Sequence, residues 1–264
     1  MNIHELRKQQ YEHHRNYSAS LDIDDWKRNF YTFIKIRLYM EVSAVLVYFL
    51  FKTKIRPNSI TMVYILGGFF GGILLAIPMN ATIYIAIFYF FFLKSIVDSC
   101  DGHIARVTNQ VSIRGDILDS YGAHLNSLGF WTGLGFYLAH SSGLIIFYYL
   151  LPPLLIFYAA DMYSYSGLQI LQHFSMGSKK LLSVSTSGGS DVKRSRFRLI
   201  RAITYGFEHL ANFLRDSFID DRARTVDLVC LLIIIELNSG ISLSWIIFLL
   251  FFIKRFILFI FSIY

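Results

Sequence analysis

From Pro57 to Leu93 the chain carries no charged residue. A run of that length is too long for one membrane span, which takes about 20 apolar residues. Pro78, Met79 and Asn80 interrupt it, so it divides into two spans near 59–78 and 81–99. A third apolar segment runs from about 116 to 139. A fourth runs from about 143 to 163, where Pro152 and Pro153 are expected to kink it. Two more, VDLVCLLIIIEL and the run that begins at Ile241, turn at Asn238 to Gly240. With 55% hydrophobic and only 16% charged residues, the chain is excluded from the ordinary soluble class. The expected architecture is all-α and integral to the membrane: a six-helix transmembrane bundle over 57–264.

Ahead of the bundle the pattern changes twice. Residues 1–25 are polar, with His4, His13 and His14 scattered among charges, and read as a solvated cytoplasmic tail rather than a histidine metal site. Over 26–56, Trp26, Phe30, Phe33, Ile34 and Leu38 alternate at helical spacing with Lys27, Arg28, Lys35 and Arg37. That pattern predicts an amphipathic helix in the membrane interface. The three turns near 78–80, 140–142 and 238–240 hold no lysine or arginine, so all 25 basic residues fall on the opposite side or near it. By the positive-inside rule that side is cytoplasmic. The net charge of +7 is accounted for by this face and its anionic lipids, and no nucleic-acid partner is expected. Cys100 and Cys230 have neither pairing nor metal spacing and read as reduced thiols.

Polar chemistry concentrates between Asp98 and Asn126. On a helix, Asp98, Asp101, Gly102 and Ala105 share one face, and Gly115, Asp119, Gly122 and Asn126 share another. Carboxylates in this spacing suit hard divalent cations, and the small residues admit a phosphate-bearing ligand to the backbone. Acids at a membrane boundary are costly and mark function. Gly67, Gly68, Gly71 and Gly72 form a small-residue face, read as helix packing in preference to a ligand groove.

The residues Asp98, Asp101, Gly102, Ala105, Arg106, Gly115 and Asp119 stand in register with D-x2-D-G-x2-A-R-x8-G-x3-D-x3-D. That signature resembles the CDP-alcohol phosphotransferase family, whose members move a substituted phosphoryl group from a CDP-alcohol to an acceptor hydroxyl and release CMP. The resemblance implies Asp98, Asp101 and Asp119 as ligands to magnesium or manganese, as a pair of ions, with Asp119 also catalytic. It implies Gly102, Ala105, Gly115 and Arg106 around the nucleotide. The opening PNSIT resembles the family's PN-x2-T, which would set Asn58 and Thr61 near the nucleotide too. Further implied are a lipid or polar hydroxyl acceptor, membrane lipids as surroundings and a homodimer. The expected location is a bacterial inner membrane, with the site at the cytoplasmic face.

One position departs from the pattern. The last aspartate, a metal ligand and the general base in the family pattern, is Ala123. His124 points about 100° away on a helix and is a poor substitute. Either an active parent has had its base replaced, or the protein has lost or relocated it. The sequence Ala123-His124-Leu125-Asn126 resembles the D-x-L-N of choline and ethanolamine phosphotransferases, which favours the active parent. Two other classes compete: a degenerate member acting as a scaffold or lipid-binding subunit, supported by Ala123 alone, and an intramembrane prenyltransferase, which would want a second Asp-rich motif. Asp161 and Glu236 are weaker candidates for an acceptor cleft, Glu236 being as easily a helix-pairing residue. Lys193, Arg194, Arg196, Arg198 and Arg201 read as a lipid-facing basic surface.

Overall fold

The computed structural model describes residues 2–20, 30–53, 55–160 and 223–263. Trp26, Asp161 and the basic stretch 193–201 lie outside them. Every regular element among the described residues is a helix. In chain order these are α1 Ile3–Ser20, α2 Phe30–Thr53, α3 Pro57–Ala76, α4 Asn80–Val107, α5 Ile113–Ser142, α6 Ile146–Ala160, α7 Ala223–Ser239 and α8 Ser244–Ile263. Two of them, α3 and α4, are long and apolar enough to cross a membrane. They leave Val63, Phe69, Phe70, Ile85 and Phe88 exposed, side chains that lipid would cover at no cost and water would not. The fold is that of an all-helical protein consistent with life in a membrane. Of the expected six spans, these two are the ones that length and composition support among the described residues.

The chain divides into two compact units, Met1–Tyr137 and Leu138–Tyr264. The first contains the motif. Its core joins Leu6 of α1, Tyr39 and Val47 of α2, Ile60 of α3, and Ile96, Cys100 and Ile104 of α4. Residues 3–20, expected as part of a solvated tail, are therefore a docked helix. Asn2 and Glu5 start it, the Glu5 carboxylate accepting the Asn2 backbone N–H at 3.0 Å. Leu6 is only 1% exposed. One turn on, Arg7 and Tyr11 both donate to Glu41 at 2.8 Å, and Gln10 donates to Ser43 at 2.7 Å. Docking rests on one leucine and a row of polar partners, so hydrophobic periodicity alone could not reveal it.

The second span and the first motif helix are one continuous helix, α4. Its register shifts at a π-helical turn, Tyr89–Leu93. That turn sets the Tyr89 ring against Gly67 and Gly71 of α3, where a Cβ on either glycine would meet the ring at 2.5 and 2.9 Å. The next pair, Gly68 and Gly72, faces α5 instead. A Cβ on Gly72 would collide with the Gly129 carbonyl, and one on Gly133 with the Gly72 carbonyl. The glycine face is thus used for packing, one pair for each neighbouring helix.

In the second unit, α6 runs helical through Pro152 and Pro153. Phe147 meets Phe248 edge-on at 5.8 Å, and Arg255 lies over the Tyr158 ring at 4.5 Å. Gly240, at φ +72°, makes the turn after α7.

Candidate active site

Three helix segments build the site: the start of α3, the end of α4 and the first half of α5. Pro57 opens α3, where its fixed φ suits the first helical position. That placement puts Asn58 and Thr61 on the first turns. The α4 helix ends in a Schellman arrangement, with Gln110 N–H donating to the Ala105 carbonyl at 2.8 Å and Asn109 N–H to that of Arg106 at 3.3 Å. Asn109 takes φ +55°, a conformation asparagine tolerates. Ser112 then caps α5, its hydroxyl accepting the Gly115 N–H at 3.1 Å. The eight residues between Arg106 and Gly115 are therefore a tight reversal that brings the two halves of the motif side by side.

The acids differ in how they are held. Asp101 is buried; its Oδ2 accepts the Thr61 hydroxyl at 2.7 Å and its Oδ1 accepts the Gly102 N–H at 2.6 Å. Asp98 is exposed and Asp119 half-buried. They are neighbours, with the Tyr64 side chain beside Asp98 and Asp101 also near Asp119. The two carboxyl groups are hydrogen-bonded to each other, the Tyr64 hydroxyl bonds to Asp98, and the Lys94 charge is also near Asp98. Two ionised carboxylates in that relation repel, and a proton or a cation between them removes the repulsion. As the side chains stand, no three His, Cys, Asp or Glu residues among those described are grouped closely enough to hold a metal ion. The third acid, Asp101, is drawn to Thr61.

The remaining predicted residues fall around this core. Asn58 faces Gly115 across the gap, with a Cβ on the glycine 3.5 Å from Asn58 Oδ1. Gly102 leaves room for the Arg106 guanidinium, whose Nη1 lies 3.2 Å from where a Cβ would be. Ala105 is half-buried on α4, and Ala123 is exposed on α5, one turn beyond Asp119. Glu236, weighed for an acceptor cleft, instead accepts the Leu243 and Ser244 N–H groups and the Ser244 hydroxyl. It is a helix cap for α8.

Sequence reasoning missed a brace under the site. The Tyr89 hydroxyl lies 2.8 Å from Asn126 Oδ1 and 2.9 Å from the Tyr64 carbonyl, its one proton shared between them, and Asn126 Nδ2 donates to the Tyr64 and Gly122 carbonyls at 3.0 and 3.1 Å. Gly122 also gives the Tyr64 ring its place, a Cβ there standing 2.9 Å from it. The four groups fix α5 against α3 and α4, and so set where Asp119 and residue 123 point. The spacing Gly122-x3-Asn126 was the one available hint.

In comparison with known proteins, residues 54–162 match the CDP-alcohol phosphatidyltransferase family. No curated protein matches the chain. The matched interval holds all three acids, their glycines and the PNSIT opening, and it supports phosphotransfer from a CDP-alcohol in lipid synthesis. Residues 54–162 therefore form a CDP-alcohol phosphatidyltransferase family domain.

Proposed function

We propose that this domain transfers a substituted phosphoryl group from a CDP-alcohol to a lipid or polar hydroxyl acceptor, and that Ala123 leaves the chain as it stands able to bind donor but slow to turn it over. The observation that carries this is the facing pair of acids, Asp98 and Asp119, beside Asp101, Gly102 and Gly115 in the register of the matched family. The donor set is all oxygen and suits magnesium or manganese. Asp98, Asp101 and Asp119 would hold the ion or ions, after Asp101 turns from Thr61. A bound divalent ion there neutralises pyrophosphate charge.

The chain's own groups supply the rest. Gly102 and Gly115 let the donor's phosphates approach the backbone, Asn58 borders that space, and Arg106 adds a fixed positive charge. In the transfer, the acceptor oxygen bonds to the phosphorus next to the alcohol, and the bond from that phosphorus to CMP breaks. The acceptor's proton must leave, and Ala123 cannot take it. Lysine and arginine placement supports a cytoplasmic face for the site, α3 and α4 support a membrane setting, and a homodimer completes the proposed assembly. A binding subunit without turnover is the second reading, favoured by Ala123.

The test is CMP release by Ala123→Asp against the unaltered chain, in matched detergent preparations with a panel of acceptors. Residue 123 is exposed, so the new carboxylate meets no packing obstacle. A general base alone contributes about 10²- to 10⁴-fold, and at least that gain is expected. Brisk turnover by the unaltered chain, abolished by His124→Ala, would show that the base lies elsewhere. No gain with any acceptor would favour the binding subunit.

A further inference from the structure

Tyr89, Asp98 and Asp101 of α4 all address one face of α3. The Tyr89 hydroxyl lies 2.9 Å from the Tyr64 carbonyl, the Tyr64 hydroxyl bonds to Asp98, and Asp101 accepts the Thr61 hydroxyl at 2.7 Å. An uninterrupted α-helix would place them elsewhere. At roughly 100° per residue, Asp98 and Asp101 would stand about 180° and 120° round from Tyr89. The π turn Tyr89–Leu93, where the Lys94 N–H reaches back to the Tyr89 carbonyl, takes up one extra residue. Its removal from the count leaves roughly 80° and 20°, which brings both acids round toward α3. The phase of the motif acids is therefore set at this turn.

The turn's own residues, YFFFL, supply no reason for it. Tyr39 of α2 does. We propose that Tyr39 is a positioning residue for the motif acids: its hydroxyl holds the π turn, and the turn holds Asp98 and Asp101 in phase with Asp119. Its bearing on catalysis rests on the phosphotransfer reading.

Tyr39 is 7% exposed, and its hydroxyl donates to the Phe91 carbonyl, inside the turn, at 2.9 Å. The Ser95 hydroxyl, just beyond the turn, bonds to the same phenol. A widened turn disturbs the ladder of backbone bonds, and a side-chain donor to one of its carbonyls offsets that loss. The Tyr39 ring meets Phe92 edge-on at 6.3 Å, and the Lys35 ammonium lies over the Tyr39 and Phe91 rings at 5.4 and 5.0 Å. Tyr39 also stands on a fixed support. Glu41 and Ser43, next along α2, are tied to Arg7, Tyr11 and Gln10 of α1, and the Ser43 carbonyl accepts the Cys100 thiol of α4 at 3.8 Å. All of α2 precedes the family match, which begins at residue 54. The matched domain thus takes the alignment of its acids from a helix outside the matched interval.

The experiment uses the full chain in detergent, without metal or nucleotide, carrying Asp98→Cys together with Asp119→Cys. Dibromobimane links thiols that face each other at close range, and mass spectrometry of the linked peptides sets aside Cys100 and Cys230. With Tyr39 in place the pair should link efficiently. Tyr39→Phe keeps the ring and its packing, and should lower the linked fraction several-fold. Deleting Leu93, which is 37% exposed, removes the extra residue. Alone it should leave linking intact, and added to Tyr39→Phe it should restore it. Restoration separates phase from mere stability, since a deletion does not repair a weakened fold. Unchanged linking in Tyr39→Phe, a loss that deleting Leu93 fails to repair, or no linking with Tyr39 in place would overturn the proposal. If Tyr39→Phe fails to fold, the Leu93 deletion decides: retained linking supports the proposal and lost linking overturns it. In chains that keep both aspartates, manganese affinity, read by electron paramagnetic resonance, should fall about tenfold in Tyr39→Phe and recover with the deletion. No manganese binding by the unaltered chain would count against the cation site itself and leave the cross-linking result standing.

Discussion

Glu236 and the motif acids are carboxylates of helices rich in apolar residues, yet they sit in opposite states. Glu236 is buried and meets three donors at the start of α8. Asp98 and Asp119 face each other, carboxyl to carboxyl, with Tyr64 bonded to Asp98 and no backbone N–H donor to either among the described residues. A carboxylate whose lone pairs are filled by its own fold contributes to stability. One that faces a second carboxylate is destabilising when both are ionised, until a proton or a cation lies between them. The difference teaches that an acid in an apolar run marks a ligand site when the fold sets it against another acid, and a structural role when the fold fills it with backbone donors. Asp101 lies between the extremes, held by Thr61 and the Gly102 N–H yet close to the facing pair.

The comparison breaks most visibly by exchanging the acids for amides. Asp98→Asn or Asp119→Asn is expected to abolish metal-supported CDP-alcohol binding while leaving the melting temperature unchanged or higher, since like-charge repulsion is relieved. Glu236→Ala is expected to do the reverse, costing about 1.5–3 kcal/mol as charged hydrogen bonds are lost and backbone donors orphaned, with donor binding intact. Calorimetry paired with thermal melts separates the two. If Glu236→Ala also removed binding, the distinction between backbone-bonded and paired acids would be wrong.

Thr61→Val sharpens the middle case. It keeps the buried shape and removes the hydroxyl that holds Asp101. Loss of such an orienting partner costs about 10- to 100-fold in metal affinity, less than loss of a ligand. A manganese titration of donor binding reads it, and an unchanged midpoint would leave Thr61 a packing residue.

The smallest effect belongs to Glu41, a satisfied acid near the surface. Partial burial raises its pKa, but hydrogen bonds from Arg7 and Tyr11 and the charges of Arg7 and Arg37 outweigh that and hold it below the usual carboxylate range. A group lowered on folding contributes stability that is present above its unfolded pKa and lost as pH falls through its folded pKa. Docking of α1 on α2 should therefore weaken in acid, below about pH 4. Proteolysis of the first 20 residues would report it, and Glu41→Gln should flatten the dependence.

Much of the domain was legible because lipid-facing helices must be apolar throughout and fixed-spacing motifs survive as residue identities. The break at Pro78 to Asn80, the face shared by Asp98 and Asp101, and the glycine packing on α3 followed from those two facts. The docked α1 did not, because Arg7, Gln10 and Tyr11 hold it through polar partners some 30 residues away in sequence. Nor did the π turn at Tyr89–Leu93, where an all-apolar sequence YFFFL gives no sign of a register shift. Thr61 was placed near the nucleotide from its resemblance; its partner in the structure is Asp101. Pairwise satisfaction of polar groups is a property of the packed chain, and sequence spacing carries it only within one helix.

The central claim is that the facing acids on α4 and α5, with Asp101, form a cation-dependent nucleotide site. Its most direct test is equilibrium binding of a CDP-alcohol to the unaltered chain, in millimolar magnesium and again in excess chelator, with Asp101→Asn alongside. The account predicts saturable binding with magnesium, its loss in chelator, and a sharp weakening in Asp101→Asn. Equal affinity with and without the metal would contradict it.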